Sequence, residues 1–315
     1  MFTAKKNRRA LMGIFIADSF SKTTAIFGKV LTDSGWTPVA LYFLTLIVVS
    51  IFLAVHELIV HGGDAHRWSI GRKDIMGIAL TTLMGGVLSP ILFFTGMMYS
   101  SASEAILVTS LLPFFIVCFA VLLLGERFTK PMILGGALLV AGTLVLVWQD
   151  FLLAEIHRGI PLLLGSSVTG ALTTTLHKKY ISHPHLDSVV FLRVLLSLVT
   201  VGIWMLLTER ASFGMLLQPQ NIWVLFGMSV LGFLLPFFLY FRSLQQVSTM
   251  EAGVMVAAGP AVGVLMAAGF LGEQVLPMQL LSLAFAVAGI LVINVPLTKK
   301  RIMPSRPMEL GPLSR

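Results

Sequence analysis

Two groups of residues in this chain have types and spacings that could do chemistry. The first is the stretch HELIVHGGDAH at 56–66, where His56, Glu57, His61, Asp64 and His66 are all metal-ligand types. A zinc-peptidase helix carries H-E-x-x-H, because histidines four apart share one helix face. Here the spacing is H-E-x-x-x-H, which turns His56 and His61 roughly 140° from each other on a helix. They cannot both face one metal from a regular helix, and Gly62-Gly63 weakens any continuation. The stretch reads as a solvated connector. No metal, cofactor or catalytic residue is expected, and an intramembrane metalloenzyme stands only as a rival reading.

The second group is Asp18 and Lys22. They are four apart, so on a helix they share a face and can pair. They interrupt an apolar run, and a charge inside a bilayer costs several kcal/mol by order of magnitude. Such residues usually line a pathway, with a mutually satisfied structural pair as the alternative. Asp18 could take and release a proton. Lys22 could hold Asp18 ionised or meet an anionic group.

The elements that position these residues follow from composition. The 315 residues are 57% hydrophobic and 11% charged, with a net charge of +8. Soluble domains carry roughly 25% charged residues, so the chain reads as an integral membrane protein. Its one cysteine, Cys118, excludes an internal disulfide and a cysteine-based metal site. The basic balance points to cytoplasmic loops and anionic lipid rather than nucleic acid. The basic-then-apolar start resembles a signal peptide but has no small-residue cleavage site, so it reads as a retained first helix.

About 20 apolar residues span a bilayer. Ten such spans are expected, near 10–27, 38–55, 76–98, 103–123, 131–148, 159–177, 188–207, 222–241, 250–271 and 277–296. With both termini in the cytoplasm, seventeen of the 22 basic residues fall in inner segments and three in outer loops. That bias follows the positive-inside rule. The residues after 296 read as a basic cytoplasmic tail.

The chain also repeats itself. An offset of 147 aligns Ser101 with Ser248, Glu104 with Glu251, Pro113 with Pro260, Gly125-Glu126 with Gly272-Glu273, and Gly142 with Gly289. Two homologous units of five helices are expected, 10–148 and 159–296. Five is odd, so the second is inverted in the membrane. Inverted repeats around a shared site are typical of secondary transporters. The fold class is therefore all-α and polytopic, with ten transmembrane helices in two inverted five-helix repeats. The run SSASEAILVTSLLPFFIVCFAVLLLGERFTKPMILGGALLVAGTLVL (100–146) resembles the fourth and fifth helices of an EamA-type repeat, of the drug/metabolite transporter superfamily. That resemblance implies a permease of the bacterial inner (plasma) membrane. It would move small metabolites, often amino acids or related compounds, and commonly as an exporter.

The remaining marked residues carry paired readings. Ser101 with Glu104, and Ser248 with Glu251, read as capping boxes at span starts, with substrate or ion contact as the alternative. Gly125-Glu126 and Gly272-Glu273, followed by Pro131 and Pro277, read as two tight hairpins. Arg193 reads as snorkelling to headgroups or as a clamp for a substrate carboxylate. Ser166 and Thr169 offer hydroxyls to a cavity or small surfaces for helix packing. Phe94, Tyr99 and Tyr240 could wall an apolar site near the kinks expected at Pro90 and Pro236. No P-loop is present, so direct drive by ATP is unsupported. The expected partners are a small-molecule substrate, lipid and protons, with a homodimer left open. A non-transporting receptor is the other rival reading.

Overall fold

The computed structural model describes residues 2–61, 71–125, 130–152, 158–181, 186–208, 222–244 and 259–293. Ten helical rods contain these residues. The first is α1 (Phe2–Ser21) followed by α2 (Thr23–Asp33), and the second is α3 (Pro38–His61). The third is α4 (Arg72–Thr81), a π-helical segment (Thr82–Leu88) and α5 (Ser89–Met97). The fourth is α6 (Ala102–Thr109) with α7 (Leu112–Leu124), and the fifth is α8 (Lys130–Leu152). The second half follows as α9 (Gly159–Tyr180) and α10 (Leu186–Thr208). Next comes a rod of α11 (Ile222–Gly227), a π-helical segment (Met228–Leu234) and α12 (Leu235–Leu244). The last two are α13 (Gly259–Leu271) and α14 (Pro277–Ile293). No strand occurs among the described residues.

Six of these rods are long and apolar enough to cross a membrane, and the described parts of the other four are shorter apolar helices. Their outward faces are apolar: Ile59, Phe270 and Trp223 are each at least three-quarters exposed. Such a surface suits hydrocarbon, not water. The first rod runs to Asp33 rather than ending near 27. Lys29, one of the three basic residues that a span ending near 27 leaves in outer loops, lies inside α2. Its Nζ pairs with Asp33 at 2.9 Å and donates to the Met97 carbonyl at 3.3 Å, so a helical position satisfies it.

The packing partners follow a two-fold scheme. α3 packs on α10, α8 on α14, and α6 on α13, each joining equivalent rods of the two halves. α1 packs on α12, and α5 on α9, which are equivalent pairings. The backbone irregularities repeat as well. Gly125 and Gly272 both take left-handed conformations, φ 68° and 67°, and end α7 and α13. A side chain would strain both turns. The two π-helical segments also correspond, and each leads into a proline, Pro90 or Pro236. Proline offers no N–H to the carbonyl four residues back. Those carbonyls are Gly86 O and Gly232 O. The first accepts from the Tyr42 hydroxyl at 2.9 Å, and the second from Thr24 Oγ1 at 3.1 Å. Side chains from neighbouring rods thus take up what proline leaves open, as a low-dielectric setting requires.

The contact between α8 and α14 depends on Gly289. A Cβ there would stand 2.7 Å from the Gly135 carbonyl oxygen and 2.8 Å from Leu139 Cγ. A backbone atom cannot step aside as a flexible side chain can. Gly289→Leu should therefore part the two helices and destabilise the protein by about 1–3 kcal/mol, the usual range for overpacking. Thermal unfolding of the detergent-solubilised protein checks this; an unchanged midpoint would contradict the packing.

Candidate substrate site

The first rod breaks at Lys22, between α1 and α2. Polar side chains compete for backbone carbonyls there. Ser21 Oγ donates to Asp18 O at 2.6 Å, and Thr23 Oγ1 donates to Phe20 O at 2.6 Å. Such local bonds loosen a helix. At this break Lys22 Nζ donates to Asp18 Oδ1 at 3.2 Å. The Asp18 side chain is 11% exposed and that of Lys22 22%. Asp18 Oδ2 is buried and has no hydrogen-bond partner among the described residues. Gly259 of α13 faces the pair: a Cβ there would coincide with Asp18 Oδ2 and lie 2.9 Å from Lys22 Cε.

Lys22 borders a cavity of about 280 Å³. The first rod supplies Ser21, Lys22, Thr24 and Ala25, and α5 supplies Ser89, Pro90, Phe93 and Phe94. Ile106 and Thr109 come from α6, Ser166 from α9, and Gly232 and Phe233 from the second π-helical segment. Both halves of the chain therefore build it. Its wall combines one cation, five hydroxyls and a set of aromatic and aliphatic surfaces. Among the described lining residues there is no carboxylate.

The structure brings Lys22, Phe94 and Ser166 to this cavity, with Asp18 behind Lys22. Thr169 donates back to Gly165 O at 2.9 Å and does not line it. Glu104 closes a capping box: Ser101 N–H donates to Glu104 Oε2 at 2.9 Å, and Glu104 N–H donates to Ser101 Oγ at 3.1 Å. Tyr99 is 47% exposed and outside the cavity. Tyr240 lies in α12, while Ser248 and Glu251 fall outside the described residues, as does Glu126. Arg193 is partly buried in α10 and donates to Thr81 O at 3.3 Å, where α4 passes into the first π-helical segment. It is held by this protein carbonyl and lies away from the cavity.

Glu273 does something its place in a hairpin did not announce. Its Oε1 accepts from Ala102 N–H at 2.7 Å, and its Oε2 accepts from Ser103 N–H at 3.0 Å and Ser103 Oγ at 2.6 Å. Together with Glu104 and Ser101 it occupies the open donors at the start of α6, where a negative charge is favoured.

The stretch expected as a solvated connector is helical in its first half: His56, Glu57 and His61 lie in the last turns of α3, Glu57 is buried, and the His56 ring is tilted against that of Phe238 with centroids 5.0 Å apart. Asp64 and His66 lie outside the described residues. No group of three metal-ligand side chains occurs among the described residues.

Ten helices in two equivalent halves, with one cavity lined from both, make an architecture typical of secondary transporters. The chain belongs to the EamA-like transporter family, whose model matches residues 8–148 and again 157–295. The family sits within the drug/metabolite transporter superfamily. A solved crystal structure is similar over 90% of this chain and 96% of its own, with a TM-score of 0.64 and 19% identity, a likeness of fold alone. No curated protein matches the chain.

Proposed function

We propose that this transporter is a secondary carrier that exports a small metabolite, an amino acid or a related compound, by alternating access of its two repeats. The observation that carries the reading is the Lys22–Asp18 pair at the edge of a cavity built by both halves. A buried pair of this kind is costly to keep, and it is retained where it touches a pathway. Lys22 meets the acid group of the substrate. Asp18, with one oxygen unpartnered among the described residues, exchanges a proton for it. The bias of basic residues supports cytoplasmic termini in a bacterial inner membrane.

The test is flux in proteoliposomes against a panel of labelled amino acids and related metabolites, with and without a proton gradient. Flux of at least one compound, stimulated by the gradient, is the expected result. Asp18→Asn should reach the membrane and still move substrate, yet lose the response to the gradient. A variant that keeps the full response would remove Asp18 from the coupling step, and a silent panel would remove the metabolite reading itself.

A further inference from the structure

An arginine keeps its charge in a protein, and a charge inside a membrane span is costly unless something answers it. Arg193 lies in α10, a helix long and apolar enough to cross a membrane, and no carboxylate pairs with it among the described residues. Its Nη2 donates to the Thr81 carbonyl at 3.3 Å. That carbonyl stands where α4 passes into the π-helical segment, a junction at which the helix's own donors are displaced. A neutral carbonyl supplies a dipole and no counter-charge. The Arg193 Nε–H is buried and has no acceptor among the described residues.

Two more buried polar atoms without partners belong to the same level of the bundle, Thr82 Oγ1 and His177 Nδ1. Thr82 follows the carbonyl that Arg193 holds and is 5% exposed. α9 runs antiparallel to the third rod: a Cβ on Gly77 would meet Tyr180 and Ile181, and a Cβ on Gly85 would meet Thr173. Midway between those two contacts, His177 falls opposite Thr81. It is also within electrostatic reach of Arg193. The other hydroxyls close by are committed to backbone. Thr81 Oγ1 donates to Gly77 O at 2.7 Å, Thr173 Oγ1 to Thr169 O at 2.8 Å, and Ser197 Oγ to Arg193 O at 2.8 Å. The Thr82 proton has no such acceptor.

A guanidinium only donates, a hydroxyl with a free proton donates, and an imidazole can carry its proton on Nδ1. Three donors and one uncompensated positive charge match an anion, which would accept charge-assisted bonds from all of them. Water could accept the protons but would leave the charge unanswered. The space is small, because the third rod and α9 approach closely on both sides of this level. The Gly77 Cβ position is 2.8 Å from Tyr180 Cβ, and that of Gly85 is 2.5 Å from Thr173 Cγ2.

We propose that Thr82, His177 and Arg193 hold a small inorganic anion of chloride size between the first π-helical segment and helices α9 and α10. The anion is a fixed counter-charge joining the first half of the chain to the second. None of the three residues lines the cavity, so the site stands apart from whatever that cavity carries.

The test is thermal unfolding of the full chain in detergent as sodium gluconate is replaced by sodium chloride at constant ionic strength. Gluconate is too large for the site. Chloride should raise the midpoint by at least about 2 °C and the rise should saturate, as binding to the folded state requires. Bromide should act alike. Thr82→Val keeps the side-chain shape and should raise the chloride concentration for half the effect roughly tenfold, as loss of a hydrogen bond to a charged group implies. Arg193→Gln should abolish the rise, and Thr82→Val decides alone if that variant does not fold. The inference is overturned if chloride and gluconate give one midpoint in the native protein. It is also overturned if Thr82→Val keeps the native half-effect concentration, or if folded Arg193→Gln keeps the rise.

Discussion

Lys22→Met should cut substrate flux by at least about thirtyfold. Lys22 is the cation at the cavity wall and the partner of Asp18. Truncating one member of a buried, hydrogen-bonded charge pair typically costs 2–5 kcal/mol, and each 1.4 kcal/mol is tenfold. Two losses are combined in that figure. On the proposed reading the substrate acid loses its counter-charge, and Asp18 is left as a largely buried carboxylate with neither oxygen paired among the described residues. A second variant separates them. Asp18→Asn with Lys22→Met removes both charges, so it should recover much of the lost stability while flux stays down. Melting in detergent and uptake into vesicles read the two effects. Full flux in the single variant would show that the cavity cation is not used.

The second large effect should come from Gly259→Val. Its first added carbon falls on Asp18 Oδ2 and close to Lys22 Cε. The pair must swing away, or α13 must retreat from the first rod. Either outcome moves the cation at the cavity wall. Flux should fall by roughly fivefold to a hundredfold, from the general cost of about 1–3 kcal/mol for forcing atoms into a packed site. Gly269→Val is the matched control on the same helix, because a Cβ at Gly269 meets nothing within 4 Å. Equal losses in the two variants would assign the effect to helix propensity. A loss confined to position 259 assigns it to the ion pair.

Much of the architecture was legible in the sequence because it is written in residues with narrow backbone uses. The offset of 147 is carried by Gly125 and Gly272, and both prove to need a positive φ. Asp18 and Lys22 stood out because charge in an apolar run is rare and expensive. The first span was drawn too short for a related reason. Lys29 looks like a boundary until Asp33 and the Met97 carbonyl are seen to satisfy it.

Most of the cavity was not legible. Ser21, Thr24, Ser89, Thr109 and Phe233 line it, yet nothing local distinguishes them from other small or aromatic residues in membrane helices. In a helix apolar all round, periodicity does not say which face looks inward. Tyr99 drew attention as an aromatic near a kink and lies at the surface instead. Thr24 is the instructive case. It donates to the Gly232 carbonyl that Pro236 leaves without its usual donor, the missing Cβ at Gly232 lets it approach, and the two positions are 208 residues apart. The role of Glu273 was hidden in the same way, since its partners lie 170 and 171 residues earlier in the chain.

That carboxylate fastens the hairpin between α13 and α14, from the second repeat, to the first turn of α6, from the first. Its two oxygens ride on one rigid group, so its three bonds are made or lost nearly together. A joint of this type resists small displacements and then releases over a short distance, as a detent does in a sliding mechanism. If the repeats rock against each other, this end of the molecule has two choices. It can travel as one body with α6 locked to the hairpin, or it can pass a threshold at which three charge-assisted bonds open at once. Neither choice allows gradual loosening, so opening here is stepwise rather than graded.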